Sequence, residues 1–251
     1  QLQVEAPQGW TYSISDSLCQ LKQKGDEKVF EFQVKPSANA GEGQLKILIK
    51  ANGNVYNKSI TRIEYDHIPE QFILANAEAK LENFQLLKGK TNIAYIPGAG
   101  DEVASCLKQV GYKVTELDEH SLADADLAGF NAIVLGIRAY NTNEWLMQHQ
   151  HRLLEFVKNG GNLIVQYNTN SRIGPLQNNI GPYPFTISRE RVTDEKSPVQ
   201  FENPAHPALN TPNKITETDF KNWIQERGIY FAGDRDSSYQ TILSMNDPGE
   251  K

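Results

Sequence analysis

Cysteine, long apolar runs and clustered basic residues are scarce in this chain, and each scarcity excludes a class of protein. Only two cysteines occur in 251 residues, Cys19 and Cys106, and they lie far apart in segments of different character, which argues against a disulfide framework. No apolar run is long enough to cross a bilayer as a helix. The net charge is −6 and no cluster of lysine and arginine could follow a phosphate backbone, so nucleic acid is not an expected partner.

Gln1 begins directly in a strand-like pattern, without the basic and apolar stretches of a secretory signal. A cleaved signal would leave no trace, so export stays open. The ending at Asp247–Lys251 has the residues of a turn and no closing element, and we therefore expect the natural protein to continue.

Residues 1–68 are predicted to form an all-β sandwich. Apolar and polar residues alternate over Trp10–Ile14 and Val29–Val34, as in strands that bury one face. The segment Asn52-Gly53-Asn54 tolerates positive φ and separates two further strand-like runs, which predicts a hairpin. Spacing then becomes irregular and partly helical over 69–90, and this segment is predicted to be a connector.

Residues 91–251 are predicted to form an α/β domain. Runs typical of buried strands alternate with helical patterns, and these strands are Asn92–Ile96, Lys113–Leu117, Ala132–Leu135 and Leu163–Val165. Such alternation predicts a flavodoxin-like, doubly wound parallel sheet. Beyond Asn170 the alternation stops in a stretch rich in Gly, Pro and Asn.

Three residues that follow strands of this domain are predicted to line a pocket, because open α/β sheets bind ligands beyond the carboxyl ends of their strands. Arg138 follows the third strand, and its guanidinium suits a carboxylate or sugar hydroxyls. An ion pair with a nearby acidic residue is an equal alternative for Arg138. Tyr167 and Asn168 follow the fourth strand.

The loop after the first strand of the α/β domain is a weak anion-binding motif. Gly98 and Gly100 permit close backbone approach, but the third glycine of a dinucleotide fingerprint and the lysine of a P-loop are absent. Asp101 is placed to cap the next helix and would compete with an anion. A tight turn before a capped helix is the favoured interpretation, and neither cofactor nor metal is predicted in this chain.

His206 and Asp219 are predicted to line the same ligand-binding pocket as the three residues that follow strands. A histidine and a carboxylate can perform acid/base chemistry, whereas an acid in the first turn of a helix is equally well explained by capping, which we favour. Several aromatic residues could stack on a sugar ring, although most are assigned to packing: Trp145, Tyr167, Tyr183, Trp223 and Tyr230.

Two local patterns resemble the class I glutamine amidotransferase-like proteins, particularly their ThuA-like branch. These are the run from Gly160-Gly161 to Tyr167, and His206-Pro207 followed by Ile215–Asp219. In amidotransferases a cysteine stands after the former strand and works with a downstream His and Glu. Here residues 167–169 are Tyr, Asn and Thr, so the resemblance implies no catalytic residue in this chain. ThuA-like proteins also lack that triad and are associated with sugar handling.

A second resemblance covers nearly the whole chain. Pro7–Trp10 and Phe30–Pro36 are similar to immunoglobulin-like domains found beside glycosidase modules. The order of the two parts, with the ending Trp223–Tyr230, resembles the C-terminal region of bacterial LmbE/PIG-L family deacetylase-like proteins. That family implies zinc-dependent deacetylation of glucosamine-type sugars by an upstream domain with a His-Pro-Asp-Asp motif, which these residues do not contain.

These resemblances imply a non-catalytic accessory region that binds carbohydrate or an amino sugar, or that holds together the domains of a deacetylase. They also imply an upstream catalytic domain in the same polypeptide and a periplasmic or secreted location. The alternative is a ThuA-like sugar hydrolase or isomerase that uses His206 and Asp219. A third possibility, a structural spacer, predicts a filled crevice at the strand ends.

Overall fold

A computed structural model of the protein describes residues 1–90, 92–170, 180–221 and 228–250. The chain divides into two compact units, Gln1–Gln85 and Leu86–Lys251. Across the described ranges, no helix is long and apolar enough to span a bilayer.

The first unit consists of β-strands joined by turns. The strands are β1 (Leu2–Glu5), β2 (Trp10–Ile14), β3 (Phe32–Pro36), β4 (Gly43–Ala51), β5 (Asn54–Tyr56), β6 (Lys58–Tyr65), β7 (Ile68–Asn76) and β8 (Glu78–Leu81). Strand β4 pairs antiparallel with β1, β5 and β8 in a four-stranded sheet. The pairs β2–β3 and β6–β7 are separate two-stranded ribbons. The predicted hairpin is confirmed, since Asn52 and Gly53 join β4 to β5 at φ values of 50° and 78°.

The predicted immunoglobulin-like sandwich is wrong. Leu2, Val4 and Leu45 form a small buried core, against which the β2–β3 ribbon packs Phe32 and Val34. The four-stranded sheet is thus covered by a two-stranded ribbon rather than by a second sheet of similar size. The β6–β7 ribbon is exposed along almost its whole length and adds nothing to that core.

The segment predicted as a connector, 69–90, instead contains most of β7 and all of β8. An unbroken apolar run, Phe72–Leu74, interrupts the alternation by which a strand with one buried face is recognised. Because both faces of β7 are exposed, tertiary burial does not impose such an alternation on its sequence.

The second unit alternates strands and short helices in its first half. Its elements are β9 (Asn92–Ile96), α1 (Val103–Gln109), β10 (Lys113–Glu116), α2 (Glu119–Asp124), β11 (Ala132–Leu135), α3 (Ala139–Thr142), α4 (Gln150–Lys158), β12 (Asn162–Val165), β13 (Thr186–Ile187), β14 (Arg191–Val192), β15 (Gln200–Phe201), α5 (Pro207–Asn210), β16 (Gly228–Ile229), β17 (Ala232–Gly233) and β18 (Leu243–Ser244). Turns of 3₁₀ helix lie at Leu127–Gly129, Glu144–His149 and Glu217–Phe220.

Four of these strands form a parallel sheet in the order β10-β9-β11-β12. The four predicted strands and their parallel pairing are confirmed. One face of the sheet buries Ile96, Ile133 and Leu135 in the main core, and the other face buries Tyr95 and Val134 against α1.

The predicted flavodoxin-like, doubly wound sheet is nevertheless wrong. After β12, the described strands are two-residue antiparallel ladders, β13–β17, β14–β16 and β15–β18, instead of further parallel strands. The helices are short, from four to nine residues. Residues 180–184 include Pro182 and Pro184, which cannot donate a ladder hydrogen bond, and this composition favours turns over a fifth parallel strand.

Candidate functional site

The loops that follow β9 and β11 pack directly on each other at the carboxyl edge of the parallel sheet. The Ala99 amide donates to the Ile137 carbonyl at 2.7 Å. A Cβ atom on Gly98 would lie 2.0 Å from that carbonyl oxygen, and one on Gly136 would lie 2.5 Å from the Tyr95 hydroxyl. Close backbone approach therefore requires Gly98 and Gly136.

The Asp101 carboxylate occupies the centre of this edge. It accepts hydrogen bonds from the Tyr95 hydroxyl at 2.5 Å, the Val103 amide at 2.9 Å and the Ile137 amide at 3.0 Å. Burial raises the pKa of the Asp101 carboxyl, but these hydrogen bonds outweigh burial and hold the pKa below its ordinary value. The predicted anion loop, with Gly98 and Gly100, thus adjoins a carboxylate of the protein itself, a geometry that fits a tight turn.

Arg138 has an unusual backbone conformation, and its Nε atom has no hydrogen-bond partner among the described residues. Its φ of 57° and ψ of 27° lie in the left-handed region, which is costly for a residue with a side chain and is enriched at functional sites. The backbone amide donates to the Tyr167 carbonyl at 2.9 Å. The half-buried guanidinium has no acidic partner among the described residues, and its buried Nε atom has no hydrogen-bond partner there. The ion-pair alternative for Arg138 therefore finds no partner in those residues.

Tyr167 presents an aromatic ring at the same edge. Its side chain is 45% exposed and stacks on Tyr230, with ring centroids 6.4 Å apart and planes at 9°. Tyr230 is held in turn by its amide, which donates to the Glu190 carbonyl at 3.1 Å. The Tyr167–Tyr230 contact was missed by sequence reasoning, because the two residues are distant in the chain and share no motif. Trp223, the other aromatic residue named near Tyr230, lies outside the described residues.

Asn168 holds the loop after β12 in place. It is 3% exposed, its Oδ1 atom accepts from the Tyr140 amide at 3.1 Å, and its Nδ2 atom donates to the Gln166 carbonyl at 3.0 Å. Both functional groups of the amide are thus used within the protein. Asn168 therefore links the loop after β12 to the start of α3 through Tyr140, and a second N–H of its amide is not used in these two hydrogen bonds.

Three buried side-chain atoms in the segments after β11 and β12 have no hydrogen-bond partner among the described residues. They are Arg138 Nε, Tyr140 Oη and Gln166 Nε2, and no other buried side-chain nitrogen or oxygen of the described residues is unpaired. Burial and the Asp101 hydrogen bond raise the pKa of the Tyr95 phenol, and the neighbouring Gln166 amide slightly offsets that rise. Among the described residues, Gln166 Nε2 nevertheless has no hydrogen-bond partner. Burial raises the pKa of Tyr140 to about 12. Unpaired buried polar atoms are rare in folded proteins, and all three belong to segments that follow β11 and β12.

His206 and Asp219 each have a structural partner. His206 Nδ1 accepts from the Ala208 amide at 3.2 Å and caps α5. The exposed Asp219 accepts from the Thr216 amide at 2.7 Å and from its hydroxyl at 3.1 Å in a capping box. No hydrogen bond joins His206 to Asp219 in the part of the chain that the structure describes.

A half-open cleft of about 1450 Å³ lies in the second half of this unit. Phe231, which follows Tyr230 directly, lines it together with Phe185 and the exposed Arg189, and the buried side chains of Val192 and Leu209 contribute apolar surface. The cleft is framed by the two-residue ladders, which have no periodic signal in the sequence, so sequence reasoning did not identify it.

The described residues contain no group of three or more His, Cys, Asp or Glu side chains arranged to hold a metal ion. Comparison with known proteins adds no family, since no protein-family model, curated protein or solved structure matches the chain.

Proposed function

We propose that this chain is a non-catalytic, carbohydrate-binding accessory region whose ligand lies at the carboxyl edge of the parallel sheet. The observation that carries the proposal is a group of three buried polar atoms that lack partners among the described residues, Arg138 Nε, Tyr140 Oη and Gln166 Nε2, in the segments after β11 and β12. Each of the three atoms has less than 1 Å² of accessible surface, so a ligand reaches them only when the loops after β11 and β12 move aside. Hydrogen bonds to the ligand would then offset the free-energy cost of burying the atoms unpaired, which is about 1–3 kcal/mol for each atom.

The chemistry of these groups suits a saccharide. Arg138 Nε and Gln166 Nε2 are donors, and Tyr140 Oη can donate or accept, so they match hydroxyl, carbonyl and carboxylate oxygens. The exposed ring of Tyr167 offers a flat apolar face on which a sugar ring can stack, and Tyr230 holds that ring in place.

The neighbouring cleft suits a ligand longer than one sugar. Its volume of about 1450 Å³ exceeds the roughly 300–1,000 Å³ typical of small-molecule pockets. Because Phe231 lines the cleft and Tyr230 stacks on Tyr167, an oligosaccharide bound at the strand ends could extend into it. The resemblance to LmbE/PIG-L deacetylase-like proteins selects oligomers of N-acetylglucosamine as the first ligand to test.

A binding role is favoured over catalysis because the reactive groups are already engaged. The Asp101 carboxylate accepts three hydrogen bonds within the protein, and His206 and Asp219 cap helices. A nucleophile needs a base within hydrogen-bond reach, and neither exposed cysteine adjoins the unpaired atoms in sequence. No observation favours the alternative of a sugar hydrolase or isomerase that uses His206 and Asp219.

Isothermal titration with N-acetylglucosamine oligomers tests the proposal. Wild-type protein is expected to bind, and Arg138→Ala and Tyr167→Ala are each expected to weaken binding about tenfold or more, since each contact contributes about 1–3 kcal/mol. Tyr56→Ala, which removes an exposed tyrosine ring from the first unit, is the matched control and should bind like the wild type. Equal affinities for all four proteins would exclude the site.

A further inference from the structure

The β6–β7 ribbon, residues 58–76, is an arm with almost no burial. Every residue of the arm is exposed except the partly buried Ile63. Its large apolar side chains are 36–66% exposed, namely Ile60, Tyr65, Ile68, Phe72, Ile73 and Leu74. A two-stranded ribbon is marginally stable in water, and a contiguous exposed apolar patch typically marks an interaction surface.

One face of the arm carries a continuous apolar stripe. Ile60 lies opposite Leu74, and Arg62 lies opposite Phe72. Residues two apart in a strand share a face, so Ile60, Phe72 and Leu74 form the stripe beside Arg62. Arg62 pairs with Glu64 at 3.2 Å and also with Glu70. The stripe is therefore apolar while the charges around it are nearly balanced.

The two edges of the arm differ in their capacity to accept another strand. Among the described residues, β6 and β7 pair only with each other, so the outer edge of each is free. Pro69 in β7 has no amide hydrogen, a common protection of an edge strand. Strand β6 has no proline, and its ladder with β7 is regular from Lys58 to Ile63. The register shift between Ile63 and Tyr65 places its extra residue on β7, so β6 itself keeps an outer edge that can accept another strand.

We propose that β6 pairs antiparallel with β6 of a second copy of this chain and joins the two arms into one four-stranded sheet. A two-fold axis normal to the sheet at Thr61 places Thr61 opposite its equivalent and Lys58 opposite Glu64 of the second copy. Threonine pairs and opposite-charge pairs directly across a ladder are stabilising. The sequence of β6 is thus complementary to itself, which identifies a second copy as the partner.

This register also merges the two apolar stripes. Ile60 lies opposite Arg62 of the second copy, and both residues are on the stripe face, so the stripes adjoin on one side of the new sheet. Lys58 and Glu64 each have an exposed partner within their own chain. Lys58 donates to Asn76 Oδ1 at 2.6 Å, and Glu64 pairs with Arg62. Because exposed ion pairs contribute little to stability, the exchange of these contacts for the new pairs costs little free energy.

Analytical ultracentrifugation over a range of protein concentrations tests the proposal. Wild-type protein is expected to dimerise. Lys58→Glu places like charges opposite each other at both ends of the ladder and should weaken the dimer about tenfold or more. The double variant Lys58→Glu with Glu64→Lys restores opposite charges and should restore the dimer. Lys35→Glu, the same charge change on an exposed residue of β3, should have no effect.

A cross-linking variant tests the register itself. In a background with Cys19 and Cys106 changed to serine, Thr61→Cys is expected to form a disulfide-linked dimer, because residues on the two-fold axis are nearest neighbours across the ladder. Lys35→Cys is the control and should stay uncross-linked. A wild-type monomer at every concentration would overturn the proposal, as would a dimer that is indifferent to Lys58→Glu and is not cross-linked by Thr61→Cys.

Discussion

The Tyr95 hydroxyl donates a 2.5 Å hydrogen bond to the Asp101 carboxylate, which also accepts the Ile137 amide from the loop after β11. One carboxylate thereby connects strand β9 with the loops that follow β9 and β11. Arg138 comes immediately after Ile137, so the geometry of this hydrogen-bond network determines where the guanidinium of the proposed site lies.

Asp101→Ala is expected to destabilise the second unit by about 2–3 kcal/mol at neutral pH, since hydrogen bonds to a charged group contribute about 1.5–3 kcal/mol and the Ile137 amide loses its acceptor. Because the folded-state pKa of Asp101 is depressed, its contribution is present above an unfolded pKa of about 3.9 and is lost as pH falls through the folded value. Urea unfolding at neutral and acid pH measures both effects. Asp124→Asn, at an exposed carboxyl, should unfold like the wild type.

Tyr140→Phe is expected to separate stability from binding. Removal of a buried, unpaired hydroxyl should stabilise the ligand-free protein by up to about 1 kcal/mol, while the loss of a ligand contact should weaken saccharide binding. Thermal melting and titration of the same variant measure the two effects. A variant with reduced stability and unchanged affinity would remove Tyr140 from the site.

The raised pKa of Tyr140 predicts an alkaline transition. A phenol with a folded-state pKa of about 12 contributes stability that is complete below its unfolded value of about 10 and is lost as pH rises from about 10 to 12. Denaturant unfolding across this range should show a steeper loss for the wild type than for Tyr140→Phe. Parallel curves for the two proteins would contradict the assigned burial.

Gly98→Ala is expected to destabilise the second unit by more than about 2 kcal/mol, because its Cβ atom would lie 2.0 Å from the Ile137 carbonyl oxygen and backbone cannot move aside as a side chain can. Gly129→Ala is the matched control, since its Cβ atom would meet nothing within 4 Å. Chemical denaturation compares the two. Similar stabilities would show that the loops after β9 and β11 are not packed as described.

The capping roles of His206 and Asp219 predict modest, structural effects. Asp219→Ala and His206→Ala should each cost about 0.5–2 kcal/mol of stability through loss of a cap, and neither should alter saccharide affinity. Asp219→Asn keeps an acceptor and should retain most of the stability. A loss of a sugar-processing activity in these variants would instead favour the enzymatic alternative.

Sequence reasoning succeeded where burial imposes a pattern on consecutive residues. Strands β9 and β11 are continuous apolar runs because a parallel sheet buries both faces, and their observed bounds match the prediction. The two-residue ladders after Asn170 are too short to leave a periodic pattern in the sequence. Sequence reasoning therefore predicted a doubly wound sheet and did not identify the antiparallel ladders that the structure has instead. Strand β7 is long enough for a periodic pattern but was not predicted. Because both of its faces are exposed, burial imposes no alternation of apolar and polar residues on its sequence.

The candidate site was predictable only in part. Arg138 and Tyr167 could be named as site candidates from the sequence because each lies just after a predicted strand. The carboxyl ends of neighbouring parallel strands bring the loops that follow them together. The unpaired state of Tyr140 and Gln166 depends instead on which atoms surround them in three dimensions, and the partnership of Tyr167 with Tyr230 depends on a distant segment. No local pattern in the sequence encodes either relationship.

The most direct measurement is a crystal structure of the protein with an N-acetylglucosamine oligomer. The proposed function predicts saccharide oxygens within about 3 Å of Arg138 Nε, Tyr140 Oη or Gln166 Nε2, and a sugar ring stacked on Tyr167. A complex in which water alone pairs these three atoms while the saccharide binds elsewhere, or in which no saccharide binds, would contradict it.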